Sequence, residues 1–282
     1  MNQLRLRVGC TLSFAADDPN PGMLCVQPRD EPPHRVLEER FELDPAIELR
    51  PYRDLYGNRR QRMVVPPGGL RLRYEADVEV DGAPDPVEPD AVQHPVEDLP
   101  DDVLPFTLPS RYCLPDELMG TAWELFGNTE PGWGRAQAVC DWVFGHLGFQ
   151  YGSSNPLTTA VDVYESGAGV CRDFTHLAVT FCRALNLPAR YVFGYLPDIG
   201  VMPHEHPMDF CAWMEVFLGG RWYTFDPRNN DTMPRVGRVL IGRGRDALDV
   251  AMITTFGAAR LAGMTVTAEQ RPAAEPAGRA SG

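Results

Sequence analysis

Lysine is absent: all 26 basic side chains among the 282 residues are arginine. This removes Schiff-base and lysine-base chemistry and self-crosslinking through a lysine amine, and it points to a GC-rich bacterial genome. Long apolar runs are missing as well. No stretch approaches the roughly 18 to 20 apolar residues of a membrane helix, and the start, Met-Asn-Gln-Leu-Arg-Leu-Arg, lacks a signal-peptide core. We therefore expect a cytoplasmic protein with no membrane partner. The seven cysteines, at 10, 25, 113, 140, 171, 182 and 211, include no CxxC pair. An odd number without paired spacing fits a reducing compartment better than a disulfide framework or a zinc ribbon. Positive charge is in deficit: a net charge of −13, spread along the chain, repels phosphate backbones and argues against a nucleic-acid partner.

What is present is enough for a sizeable core, since 44% of the residues are apolar. Residues 4 to 10 and 70 to 80 alternate strictly, with Leu70, Leu72, Tyr74, Ala76, Val78 and Val80 on one side and charged residues between them. The pattern predicts half-buried antiparallel strands. Tyr56-Gly57-Asn58 reads as a hairpin turn, and Pro66-Pro67-Gly68-Gly69 breaks the chain. We expect a β-domain over residues 1–82, an acidic proline-rich linker over 83–104, a core domain over 105–266 and a disordered tail over 267–282.

After the linker the period becomes helical. Ala136, Val139, Cys140, Val143 and Leu147 share one face, and an amphipathic helix begins near Cys171 and stops at Asn186-Leu187-Pro188. Strands follow over 189–196, 211–218 and 221–226. If Gly219-Gly220 is a two-residue turn, Leu218 faces Arg221, Met214 faces Phe225 and Trp213 faces Asp226. Cys211, Trp213 and Asp226 then point to the same side of the sheet.

The segment Ser166-Gly-Ala-Gly-Val-Cys171-Arg-Asp-Phe-Thr-His176 places a thiol where a glycine-rich loop becomes a helix. The free N–H groups and positive dipole end there favour thiolate over thiol. Thiol catalysis also needs a base and an acid that orients it. Cys171 suits the first role and Asp226 the last. The base's place on the hairpin is position 211, which holds cysteine. His204 and His206, in the proline-flanked loop before that strand, are the substitute bases. His176 lies about 140° around the helix from Cys171 and faces elsewhere; His34, His94 and His146 have no assigned role. Asp173 serves the helix dipole, Trp213, Trp222 and Tyr223 are core aromatics, and the arginines at 235, 238, 243 and 245 form ion pairs or bind a substrate carboxylate. Cys171, Cys211, Asp226 and a loop histidine are acceptable zinc ligand types, but their spacing matches no standard pattern, so we expect no metal and no cofactor. Two facing thiols at 171 and 211 also allow a reversible disulfide that masks the nucleophile.

The runs GVCRDFTHLAVTFCRALNLPARYVFGYLPD and PMDFCAWMEVFLGGRWYTFDP, with LPSRYC at 108–113, resemble the core of the bacterial transglutaminase-like superfamily. That core carries Cys on G-V-C-x-D-F, His on H-A-W and Asp on F-D. Carried over, Cys171 matches the nucleophile, Asp226 the orienting acid and Cys211 the histidine. The resemblance implies an α+β fold, with a papain-like core whose Cys-bearing helix packs on an antiparallel sheet behind a small N-terminal β-sandwich. It also implies cysteine-dependent acyl transfer on peptide-like amides, by hydrolysis or transfer. The second reading is a silenced relative kept as a binding or scaffold module, because a thiol at 211 cannot carry a proton as a cation.

Overall fold

The computed structural model describes residues 3–32, 34–201, 206–229 and 235–272. The first six strands are β1 Gln3–Ala15, β2 Asn20–Leu24, β3 Arg35–Asp44, β4 Arg50–Arg53, β5 Arg59–Val65 and β6 Leu70–Asp81. The alternating segments pair as their pattern requires, with Leu4 opposite Val80, Leu6 opposite Val78 and Cys10 opposite Tyr74. The side chains of that apolar face are buried together. Tyr56-Gly57-Asn58 does turn the chain between β4 and β5. Asp54 accepts hydrogen bonds from the Tyr56 and Asn58 N–H groups, and Gly57 takes φ 75°.

Two of the expected boundaries are corrected. Two strands from the far end of the chain, β13 Ile253–Thr255 and β14 Arg260–Arg271, complete the N-terminal sheets, whose orders are β14-β1-β6-β3 and β13-β2-β5-β4. The β-domain is thus not confined to residues 1–82, and the core does not run on to 266. Residues 267–271, expected in a disordered tail, pair with Gly9 back to Arg5. Their composition concealed this because β14 buries only Val266 and Ala268 and leaves its other side chains largely open. Residues beyond 272 lie outside those described.

The segment 83–104 is likewise not a solvated linker. Ala91, Leu99 and Val103 are buried, the Ala91 carbonyl accepts from the Trp133 N–H, and the Val92 carbonyl accepts from the Gly219 N–H. Apart from Asp85, its acids face outward while a few apolar residues and the backbone hold it to the core, so composition alone reads it as a spacer.

The core holds helices α1 Met119–Phe126, α2 Trp133–His146, α3 Ala160–Ser166 and α4 Cys171–Ala184. The short strands β7 Gly148–Phe149 and β8 Ala168–Gly169 pair with each other. A four-stranded antiparallel sheet is built from β9 Ala189–Tyr195, β10 Cys211–Leu218, β11 Arg221–Phe225 and β12 Val239–Gly244, in the order β11-β10-β9-β12. The fold is α+β, with the Cys-bearing helix α4 packed on an antiparallel sheet. The hairpin register is the expected one, Leu218 opposite Arg221 and Met214 opposite Phe225, with Gly219 and Gly220 both at positive φ. Met214, Val216 and Leu218 face the helices, while Cys211 and Trp213 face the opposite way.

Helix α4 departs from the expected amphipathic pattern, because every residue from Asp173 to Ala184 is buried. Helices pack on one flank and the sheet on the other, and most of its polar groups find partners inside the fold, His176 Nδ1 being the exception. Arg183 donates to the carbonyls of Ala189, Leu108 and Arg245 and to the Ser110 hydroxyl, which anchors the LPSRYC segment to the helix. Asn186, at φ 60°, ends the helix, and the Leu187 N–H closes back on the Cys182 carbonyl.

Candidate active site

The loop before Cys171 is built from local rules. Thr159 and Asp162 form a capping box that starts α3, and Gly167 ends it at φ 67°. At Gly169 a Cβ would meet Asp173 Cβ at 2.7 Å, so only glycine lets the loop pass this closely over the next helix. Asp173, at the third position of α4, accepts from the Val170 N–H at 2.9 Å and from Ser154 Oγ at 2.5 Å, and its other oxygen receives Arg172. These bonds fix the helix start and leave Cys171 as its first residue.

Cys171 packs against the small cluster of Val192, Leu196, Cys211, Trp213 and Leu240. Its Sγ lies 3.8 Å from the carbonyl oxygen of Phe210, the residue just before Cys211. The two thiols differ in acidity. Cys171 is held below the usual thiol range, first because Cys211 hydrogen-bonds to its sulfur. The Ala212 N–H and Arg228 add to this against the opposing effects of burial and Asp209. Cys211 is driven well above that range by its hydrogen bond to Cys171, by burial and by the nearby charges of Cys171 and Asp226. The helix end favours the same order, so Cys171 is the more acidic of the two thiols.

Asp226 is buried and its carboxylate is fully engaged. Oδ1 accepts from the N–H groups of Arg228 and Asn229, and Oδ2 accepts from Asn229 Nδ2 at 3.0 Å. Arg238 Nη1 stands 2.9 Å from the same Oδ2, while Arg238 Nε reaches Asp85 at 2.9 Å. Burial raises the Asp226 pKa, but Arg238 and the bonds from Asn229 prevail and leave it below the usual carboxylate range. The Arg238 guanidinium also lies over the Trp213 ring, 5.1 Å from its centroid. That Arg238 takes Asp226 as its partner is not legible from the residues around either one. The arginines read as ion-pair formers are such: Arg235 with Asp198, Arg243 with Glu215 and Arg245 with Asp249.

Of the two loop histidines, His204 lies outside the described residues. His206 lines the same cleft as Cys171 and Cys211, its ring edge-on to Tyr151 at 4.8 Å between centroids. The cleft has a volume of about 350 Å³ and includes Phe149, Arg228 and Asp209; Phe149 and Arg228 lie outside the recognisable blocks, and Asp209 lies within one at a position to which the resemblance assigns no role. His176 does face elsewhere. It is fully buried, stacks on Tyr112 at 5.0 Å and accepts the Ala247 N–H at Nε2. Trp213 and Tyr223 are buried and Trp222 packs beside Phe217, as core aromatics do. Among the described residues no three His, Cys, Asp or Glu side chains converge as a metal cage. No described helix is long and apolar enough to cross a membrane.

Residues 121–227 match the family model of the transglutaminase-like superfamily. A candidate cysteine protease from Cytophaga hutchinsonii, whose crystal structure is known, superposes with a TM-score of 0.85 at 31% identity. The match covers 98% of this chain and 93% of that one. An uncharacterized Mycobacterium leprae protein is 32% identical over 121 residues, which span 40% of this chain and only 41% of that protein. An uncharacterized Mycobacterium tuberculosis protein is 28% identical over 243 residues, 79% of this chain and 77% of that one. The sequence blocks, the helix-borne cysteine on its antiparallel sheet and the full-length structural likeness agree: this chain belongs to the transglutaminase-like superfamily.

Proposed function

We propose that the protein is a cysteine-dependent acyl-transfer enzyme in which Cys171 is the nucleophile. The observation that carries this reading is the position of Cys171: first residue of α4, on the wall of an open cleft, with a lowered pKa and a protonated Cys211 beside it. In the first step the thiolate attacks an acyl carbon, and N–H groups at the helix start receive the developing oxyanion. The leaving group is where position 211 matters. Expulsion of an amine needs a proton donor, and a thiol whose pKa is raised this far is a poor one. Expulsion of a thiolate needs none. Acyl donors with good leaving groups therefore suit this site better than ordinary peptide bonds, although peptide-like amides remain the substrates that the family likeness suggests. The free, unpaired state of all the cysteines suits a cytoplasmic setting.

The test is to offer an aryl thioester and the anilide of the same acyl group, and to follow both product release and the mass of the protein. The reading requires a thioester-derived acyl adduct on Cys171, absent from Cys171→Ala, with the anilide far slower. If Cys171 takes iodoacetamide but neither acyl donor, it fails.

One observation favours a second reading, a binding module without turnover. Arg238 already neutralises the acid that should orient a base. That reading predicts saturable ligand binding in the cleft by Cys171→Ala, with no acyl adduct on the unaltered protein.

A further inference from the structure

We propose that Cys171 and Cys211 form a redox-active dithiol that reduces small hydroperoxides, Cys171 attacking and Cys211 resolving. The proposal shares its nucleophile with the acyl-transfer reading but does not rest on it, because a peroxide needs neither a proton-donating base nor an oxyanion site. Two rigid elements deliver the sulfurs: the first residue of α4 and the first residue of β10. Cys171 packs against the cluster containing Cys211, and both line one open cleft. The remaining five cysteines are each at most 3% exposed. Cys140 and Cys182, which lie together in the helical core, supply an internal control of similar chemistry without access.

The division of labour follows from the surroundings. Cys171 has the helix end, the Ala212 N–H and Arg228 to favour its thiolate, whereas Cys211 lies toward the Asp226 carboxylate and keeps its proton. The thiolate is the attacking species toward peroxides, and a thiol held beside it is what turns the product into a disulfide. Cys171 sulfur attacks one peroxide oxygen; the S–O bond forms, the O–O bond breaks, and hydroxide or alkoxide leaves and takes a proton from water. The resulting sulfenic acid is attacked by Cys211 sulfur. The S–S bond forms, the S–O bond breaks, and the departing hydroxide leaves as water with the Cys211 proton. Two electrons pass from the two sulfurs to the peroxide, and an external dithiol returns them by exchange. A histidine at 211 would stop the sequence at the sulfenic acid, so cysteine there gives the cleft a reaction that the Cys-His pattern lacks.

A free thiol of pKa about 8.5 is only about 3% ionised at pH 7, so complete ionisation raises the rate of attack by at most about 30-fold. The test treats the reduced full chain with one equivalent of hydrogen peroxide at pH 7 and follows free thiols, peptide maps and dimedone adducts. The expected result is loss of two thiols per chain, a 171–211 linked peptide and recovery of both thiols with dithiothreitol. Cys211→Ser should lose one thiol and give a dimedone adduct at Cys171. Cys171→Ser should consume peroxide at least about 10-fold more slowly, within that ceiling. A stable sulfenic acid at Cys171 in the unaltered chain, a link at Cys140–Cys182 instead, or undiminished consumption by Cys171→Ser would each overturn the proposal. The peptide map of the unaltered chain needs no variant to fold. Acylation of the unaltered, reduced chain by the aryl thioester, run in parallel, separates the two ideas: acylation without a disulfide on peroxide treatment sinks only the dithiol, and a disulfide without acylation sinks only the acyl-transfer reading.

Discussion

Arg238 Nη1 stands 2.9 Å from Asp226 Oδ2, so the acid that would orient a base at position 211 is bound to a cation from the residue just before β12. The pair is buried, and Asp85 from the segment before the core holds the other side of the guanidinium. A carboxylate neutralised in this way gives a new imidazole little help in carrying positive charge, and removing one partner of such a pair usually costs about 3 to 5 kcal/mol.

Cys211→His therefore meets an acid whose charge is already taken. General acid–base assistance is typically worth about 100- to 10,000-fold in rate, but the single change should recover only a small part of it, less than about 10-fold on the anilide. Cys211→His combined with Arg238→Gln should exceed it clearly, because the imidazolium then supplies the charge that Asp226 lost. Anilide turnover by the two variants, with Cys171→Ala added to each as a control, checks this. A full gain from Cys211→His alone would show that Arg238 does not compete.

How far the sequence revealed this site depends on the range of each interaction. The hairpin register and the start of α4 are set by neighbours in sequence, a two-glycine turn and a carboxylate three residues into a helix, and both are legible. The Asp226–Arg238 pair joins residues from separate elements, and Asp85 enters from a segment whose composition reads as spacer. Strand β14 is illegible for a related reason: its partner β1 lies at the other end of the chain, and a strand with one buried stripe of two residues has almost no periodic signal.

Alkylation should rank the thiols. Burial pushes Cys10 and Cys182 up to about 12 and Cys25 and Cys113 up to about 11, while Cys171 is lowered. Limiting iodoacetamide at pH 7 should therefore label Cys171 first, with peptide mapping as the readout. Cys211→Ala removes the largest cause of the lowering, so the midpoint of the rate against pH should move upward and the rate at pH 7 should fall. Faster labelling at Cys140 or Cys182 would refute the ranking.

Gly169→Ala tests the loop. The new Cβ would lie 2.7 Å from Asp173 Cβ, which is part of a helical residue and cannot swing aside. Overpacking of this kind costs about 1 to 3 kcal/mol, and here the strain falls on the bond from Val170 N–H to Asp173 that fixes the helix start. Denaturant unfolding should show the loss, and Cys171 alkylation should slow in the folded variant. Unchanged stability together with unchanged alkylation would mean that the loop relaxes freely.

His176 makes the protein sensitive to acid in a way that can be isolated. Burial is the largest influence on its ring, Arg172 and Arg183 act in the same direction against Asp173, and together they push its pKa down to about 3. In the unfolded chain a histidine takes its proton near pH 6.5. Between those values the unfolded state binds one proton more than the folded state, so stability rises with pH through the window and falls as the pH drops below about 6.5. The slope is about 1.4 kcal/mol per pH unit, and about 2 kcal/mol is lost between pH 8 and pH 5. His176→Gln keeps an acceptor for the Ala247 N–H but cannot be protonated in this range. Urea unfolding of both proteins at pH 8 and pH 5 should show the unaltered chain losing about 2 kcal/mol more than the variant. Carboxylate titrations cancel in that difference. Equal losses would mean that His176 takes up its proton in the folded state without opening the stack against Tyr112.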